Sequence, residues 1–426
     1  MGNVGSLCIV LLLMKKSLTM VFERLRSCDR FSVWLMLCLT TLLWFPPTVA
    51  SANEIERMIE TIQAVGPSGQ GNREAAAAWQ RLTKSEAEEL PTILAGLDDC
   101  SPLAANWIRA AVDTVAEREL ARTGTLPANS LQQFVLDTRH DSRARRLAFE
   151  WLIQVDETAA DRLIPNMLRD PGVEFRRDAV ARLLTEADVL FKEASRRPET
   201  IKLYRKALEG ARDDDQVQSV VARLKELDQQ VDVPRHFGFL IDWKVIAPFD
   251  NTGNKGLDIA YPPEKEIRLD ASCDGKDGPI SWIDYSTDDD YGMVDFNQPF
   301  GKLKEVVGYA FTEFTSDQQR DVELRLGCKN AWKVWLNGEL LFERGEYHQG
   351  MRMDQYDMPC VMQRGRNSML VKLCQDEQTH SWTVQWQFQL RVCDATGTAI
   401  LSTSRGVAQA DRGPGQQSAV APVGEK

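Results

Sequence analysis

The chain has 426 residues, 43% hydrophobic and 27% charged, which is ordinary globular material for two or three domains and excludes a wholly disordered chain. Its formal charge is −11 and no basic block offsets it, which argues against nucleic acid as a partner and against general adhesion to anionic membranes.

At the N-terminus a basic region (Lys15, Lys16, Arg24, Arg26, Arg30) precedes the apolar run Phe31 to Phe45, followed by Pro46-Pro47 and the small residues Ala50, Ser51 and Ala52. That order predicts a secretory signal peptide over 1–52, cleaved after Ala52, and a periplasmic, cell-surface or extracellular destination. The apolar run is 15 residues long, short of the roughly 20 that span a bilayer, so the membrane is expected to be met only through this segment. An uncleaved anchor is the alternative, and Met14 and Met20 are alternative starts.

From 53 to 231 the apolar period is helical. Ser101 reads as a helix cap and Pro102 as a first-turn residue, with Leu103, Trp107, Ala110, Ala111 and Val115 following at helix spacing. Arg145, Arg146, Ala148 and Leu152 recur 31 residues later as Arg176, Arg177, Ala179 and Leu183. A weaker copy, Arg109, Ala111 and Val115, lies 37 residues before Arg146, Ala148 and Leu152. Such self-similarity predicts an α-solenoid-like stack of helical hairpins, none of which buries its apolar face alone. The stretch Asp170 to Leu184, DPGVEFRRDAVARLL, resembles the second helix of HEAT-type repeats, and Thr200 to Leu227 is similar to a tetratricopeptide (TPR-like) hairpin. The HEAT resemblance implies structural roles for Arg109, Arg146 and Arg177 in packing between repeats.

The segment 232–236 reads as a linker, and beyond it the period falls to two. In WTVQWQFQLRV the residues Trp382, Val384, Trp386, Phe388, Leu390 and Val392 share one face, with Thr383, Gln385, Gln387, Gln389 and Arg391 on the other. This predicts a long strand with one side in a core. Several such strands without helical stripes predict an antiparallel β-sandwich over 237–401. Asn337-Gly338 supplies two residues tolerant of positive φ, as a two-residue type I′ hairpin requires, and Trp332 and Trp335 before it fall on opposite faces. The tail 402–426, rich in Gly, Ala, Pro and Gln, is expected to be disordered.

Together the KVWLNG hairpin (Lys333 to Gly338), the RGRN turn (Arg364 to Asn367) and the closing aromatic strand resemble the galactose-binding-like jelly roll found as the sugar-binding domain of family 2 glycoside hydrolases. Similar domains occur in exported bacterial proteins, where segments like Trp243 to Asn251 and Gly256 to Asp270 recur. In the hydrolases the domain is accessory to a catalytic barrel, and this chain has no alternating strand–helix pattern that would make one.

A sugar site needs exposed aromatic faces beside polar groups, and the candidates are Trp282, Tyr285, Tyr291 and Trp335, each of which has packing as its alternative. The aspartates 284, 288, 289, 290 and 295 lack the glycine and distal glutamate of a calcium loop, and no metal or other cofactor is expected. Six cysteines follow Ala52, with no Cys-x-x-Cys pair, and they read equally as disulfide partners or as small buried side chains. No nucleophile elbow, zinc helix, Walker loop or dinucleotide fingerprint occurs, so no catalytic residue is assigned. The expected function is noncatalytic binding or scaffolding: the helices dock a protein and the sandwich contacts a glycan or protein. The alternatives are a hydrolase with an interdomain site and a structural part of a cell-envelope assembly.

Overall fold

The structure, a computed structural model, describes residues 48–404, with side chains from Glu54 onward. Residues 1–47, on which most of the expected signal peptide (1–52) falls, and residues 405–426, on which most of the expected tail (402–426) falls, lie outside the described residues. The chain forms an N-terminal helical region and a C-terminal domain of antiparallel sheets, and it divides into two compact units, Met1–Asp156 and Glu157–Lys426.

The first unit contains α1 (Thr48–Gln63), α2 (Asn72–Leu82), α3 (Leu90–Ala95), α4 (Pro102–Thr123), α5 (Ala128–Leu136) and α6 (Ser142–Leu152). Helix α4 begins as its sequence predicts: the Ser101 side chain accepts from Ala104 N at 3.2 Å, Pro102 stands at the first turn, and Gly124 closes the helix at φ 75°. The buried stripe, however, is Ala104, Ile108, Ala111 and Val115, while Leu103 is 48% exposed. The alanines let neighbouring backbones approach closely, so the small-residue face turns inward instead of the Leu103–Ala110 line.

The repeated arginine pairs divide their work. Arg145 and Arg176 are buried and donate to carbonyls of preceding segments, Arg145 to Val135 O at 2.8 Å and Arg176 to Asp170 O at 3.1 Å. Arg146 pairs with Glu150 within α6 at 3.5 Å, and Arg109 from α4 reaches the same Glu150 at 3.2 Å, which ties α4 to α6.

The second unit opens with α7 (Ala159–Leu163), α8 (Val173–Phe191), α9 (Arg197–Gly210), α10 (Asp214–Glu226) and α11 (Val233–Phe237). Arg177 of α8 binds Asp215 at the start of α10 at 2.5 Å, which holds these helices in one layer. Gly210 ends α9 where it crosses Leu168; a Cβ there would fall 2.3 Å from Leu168 Cδ1.

Two antiparallel sheets follow. One has the order β4–β1–β6–β11–β8–β9, formed by β1 (Asp242–Asp250), β4 (Ile283–Ser286), β6 (Val306–Ser316), β8 (Ala331–Leu336), β9 (Glu339–Arg344) and β11 (Gly365–Gln375). The other has the order β10–β7–β12–β5, formed by β5 (Val294–Asp295), β7 (Arg320–Cys328), β10 (Tyr356–Met362) and β12 (Gln387–Cys393). A separate ribbon pairs β2 (Ser272–Asp274) with β3 (Pro279–Ser281). Period-two apolar residues from both main sheets meet in one core that includes Trp243, Phe314, Leu326, Trp332, Val371, Trp386 and Phe388.

Strand β12 is shorter than its alternating sequence predicts. Ser381–Thr383 forms a 3₁₀ turn in which Thr383 Oγ1 donates to Gln378 O and His380 O, and Trp382 is left 57% exposed while Trp386 is fully buried. Side-chain bonds to nearby carbonyls here displace the ladder that alternation alone would favour.

The Asn337-Gly338 hairpin forms as expected, with φ of 53° and 83°. Asn337 also donates to Asn367 Oδ1 at 2.9 Å. Asn367, with no exposed surface, donates to Gln363 O and Gly365 O and accepts from Gln363 N, so the two turns are latched to each other.

A second apolar layer covers the outer face of the six-stranded sheet. Phe249, Val307, Tyr309, Phe311, Leu370 and Cys374 lie under a strap running from Asn251 to Ile280, which includes α12 (Pro262–Lys265). Lys372, at 0% side-chain exposure, fixes the strap by donating to Leu257 O at 2.9 Å, Ile259 O at 2.8 Å and Glu264 Oε1 at 2.7 Å.

Candidate ligand-binding surfaces

The four aromatic candidates separate into three environments. Trp335 and Trp282 both lie half-buried against the outer layer, 53 residues apart in sequence and on one sheet face. Phe311 connects them: it meets the Trp282 ring edge-on at 6.4 Å between centroids and lines the same cavity as Trp335. Helix α12 forms a wall common to two shallow cavities, one of about 360 Å³ beside Trp282 and one of about 270 Å³ beside Trp335. Polar groups stand at their rims, Arg268 and Asp274 in the first, Asn337 and Ser368 in the second. Trp332 is fully buried between the sheets, so the two tryptophans before the hairpin do face opposite ways.

Tyr285 belongs to neither cavity. It packs against the inter-sheet core, and its hydroxyl accepts from Asp295 N at 3.3 Å. Burial pushes its pKa above the usual phenol range.

Tyr291 sits where α10 meets the sheets. Its ring lies 6.0 Å from Phe237 and 6.3 Å from Phe239, and its hydroxyl donates to Asp214 Oδ1 at 2.6 Å and accepts from Gln218 Nε2 at 3.1 Å. Desolvation, reinforced by the Asp214 carboxylate, pushes the phenol up to about 12. A third cavity, of about 430 Å³, opens beside it.

Three of the five aspartates of this region, Asp284, Asp289 and Asp295, are occupied by protein donors. Asp284 pairs with Lys244, Asp289 Oδ1 accepts from Tyr291 N and Met293 N, and Asp295 Oδ1 accepts from Asn297 N. No group of three or more His, Cys, Asp or Glu residues able to hold a metal occurs among the described residues. The six described cysteines are free thiols; burial raises Cys328 and Cys374 to about 12 and Cys360 and Cys393 to about 11, far from the thiolate form a nucleophile needs.

Two features escape the sequence analysis. Trp382 stands exposed with His348 edge-on at 5.5 Å, and His348 is itself held to buried Asp376 at 2.8 Å. Gln387 and Gln389 of the alternating run, which period two alone marks as a solvated face, form part of the cavity beside Tyr291 together with Lys329 and Arg352.

No family model matches the sequence, and no curated protein matches it. Among solved structures, the chain is similar to a β-glucosidase from Kluyveromyces marxianus in complex with glucose, at 13% identity and TM-score 0.23 over 35% of this chain and 16% of that one. It is also similar to an uncultured Clostridium sp. β-glucuronidase, at 10% identity and TM-score 0.24 over 37% of this chain and 29% of that one. A selenomethionine-labelled form of the Kluyveromyces enzyme matches at 10% identity and TM-score 0.23 over 66% of this chain and 35% of that one. This chain thus spans about a third or less of the solved proteins it matches, and likenesses this slight define neither a fold nor an activity. Among the described residues no helix is long and apolar enough to cross a membrane.

Proposed function

We propose that the chain is an exported, noncatalytic binding protein whose sheet domain takes a glycan along the Trp282–Trp335 face and whose helices dock a protein partner. The observation that carries this reading is the convergence of two half-buried tryptophans on one sheet face, joined by Phe311 and rimmed by polar groups. Sugars bind such places because their C–H faces stack on aromatic rings while hydroxyls exchange water for side-chain partners. The two facing antiparallel sheets support kinship with the jelly-roll sugar-binding domains, and the inter-helix bonds of Arg109 and Arg177 support a HEAT-like stack.

A glycan array probed with the full chain tests the proposal. Binding should occur to at least one glycan and fall in Trp282→Ala and Trp335→Ala, both of which leave the inter-sheet core untouched. An array that stays silent while the protein is folded removes the glycan and leaves protein assembly as the role of this face.

A further inference from the structure

We infer that the cavity beside Tyr291 is a second binding site, one for an acidic sugar, with the carboxylate held by Lys329 and Arg352 and the hydroxyls by Gln387 and Gln389. It is separate from the Trp282–Trp335 face and stands on different residues.

The floor follows from the register of β12. Phe388, Leu390 and Val392 enter the inter-sheet core, so Gln387 and Gln389 project from the other face of that sheet. Gln389 pairs across the sheet with Gly327, and a Cβ at Gly327 would stand 3.2 Å from Gln389 Nε2; glycine leaves that space open to the amide. Gln389 is only 4% exposed, yet its side-chain amide has no hydrogen-bond partner among the described residues. The residue is buried as a whole, but its amide lines the cavity and is free to bond a ligand there. An amide offers a donor and an acceptor side by side, which matches a hydroxyl pair.

The walls sort the charges. On the side of α10 and the 287–293 loop, Asp214 accepts from Tyr291 and Gln218, and Asp289 accepts two backbone N–H groups. On the side of β7 and the loop after β9, neither Lys329 nor Arg352 forms an ion pair among the described residues, although both line the cavity. Lys329 donates only to the neutral Gln385 amide oxygen. Lys329 and Arg352, neither of them in an ion pair among the described residues, thus stand beside the Gln389 amide in a cavity that Asp214 and Asp289 also line, and the two cations with the amide form a place for a carboxylate that also carries hydroxyls. Met293, Met351 and Met353 supply the apolar, adaptable surface that a sugar's C–H face requires.

Titration calorimetry on the full chain with D-glucuronate, D-glucose and a short N-acetylated peptide with a free C-terminus tests this site. Glucuronate should bind at least about tenfold more tightly than glucose or the peptide, and raised salt should weaken it. Arg352→Ala and Gln389→Ala should each weaken glucuronate about tenfold or more with unchanged circular dichroism, whereas Trp335→Ala should leave it unaltered. Equal binding of glucose, preference for the peptide, absence of glucuronate binding, or a loss seen in Trp335→Ala but not in Arg352→Ala overturns the assignment. Because the two sites share no residue, failure here leaves the glycan-array result standing, and the reverse also holds.

Discussion

Replacing Lys372 by methionine should loosen the strap more than it unfolds the sheets. The ammonium is fully enclosed, and its three protons have three acceptors, two carbonyls and the Glu264 carboxylate. The faces of Tyr261 and Tyr309 lie 5.5 and 5.7 Å away. Methionine restores most of the volume but leaves Glu264, whose side chain is 11% exposed, with only the Tyr309 hydroxyl, and strands the carbonyls of Leu257 and Ile259. Breaking a buried pair in this one-sided way costs about 3–5 kcal/mol, because the remaining charge is desolvated without a partner. Removing the charge as well, in Lys372→Met with Glu264→Gln, should return about 1–2 kcal/mol of that loss. Urea denaturation gives the magnitudes, and amide hydrogen exchange locates them: amides from Gly256 to Glu266 should exchange faster while those of β12 keep their protection. A single variant within about 0.5 kcal/mol of the parent, with unchanged exchange in the strap, would refute the view that this lysine fixes the segment.

Four further outcomes follow from the packing and the charges. Trp332→Ala, which empties a fully buried site between the sheets, should cost about 3–5 kcal/mol, whereas half-buried Trp335→Ala should cost far less, both read by urea midpoint. Asn367→Ala removes the latch between two turns and should cost about 2–3 kcal/mol by the same measurement, with Asn367→Asp only partly restoring it because a carboxylate cannot donate. His236 is held neutral by burial and by Arg212 and Arg391, which push its pKa down to about 4 from an ordinary 6.5. The unfolded chain therefore binds the extra proton first, and stability should fall by up to about 3 kcal/mol as pH drops from 6.5 to 4, a slope that denaturation of His236→Gln should lack. Export predicts that N-terminal sequencing of protein recovered outside the cytoplasm begins just after Ala52; a start at Met1, Met14 or Met20 would remove the leader reading.

The sequence made the strands and the hairpin legible because both depend on local rules. Period-two burial follows from the pleat, and Asn337-Gly338 adopts positive φ with little dependence on its surroundings. Alternation failed at Trp382 because a hydroxyl two residues of chain cannot reveal, that of Thr383, had carbonyls within reach only in the folded loop. The site was readable as types but not as places. Trp282 and Trp335 could be named from the sequence, yet only the order β4–β1–β6–β11–β8–β9 brings both to one face, and that order depends on pairing between segments far apart in the chain. The glutamines carry no local signal at all, since a polar face is identical in sequence whether water or a helical layer covers it.

The helices after Asp156 show why such coverage is hidden. Arg176 donates to Thr396 O at 2.8 Å, across 220 residues of sequence, and Arg212 reaches Thr398 Oγ1 at 3.3 Å. Arg391, 2% exposed on β12, donates to Phe237 O at 3.0 Å and is held by Asp354 at 2.5 Å. The bonds to Thr396, Thr398 and Phe237 each join a helix or its end to β12 or the 394–398 turn, so the polar side of β12 is covered at Arg391. Period and propensity describe how a segment folds on itself; they contain no term for which layer will lie across it. The same argument explains why Gln389 remains without a protein partner: Phe237 of α11 and the 394–398 turn meet the strand at Arg391, while α10 and the loop before β5 border a cavity at Gln389, where a ligand of suitable polarity has room.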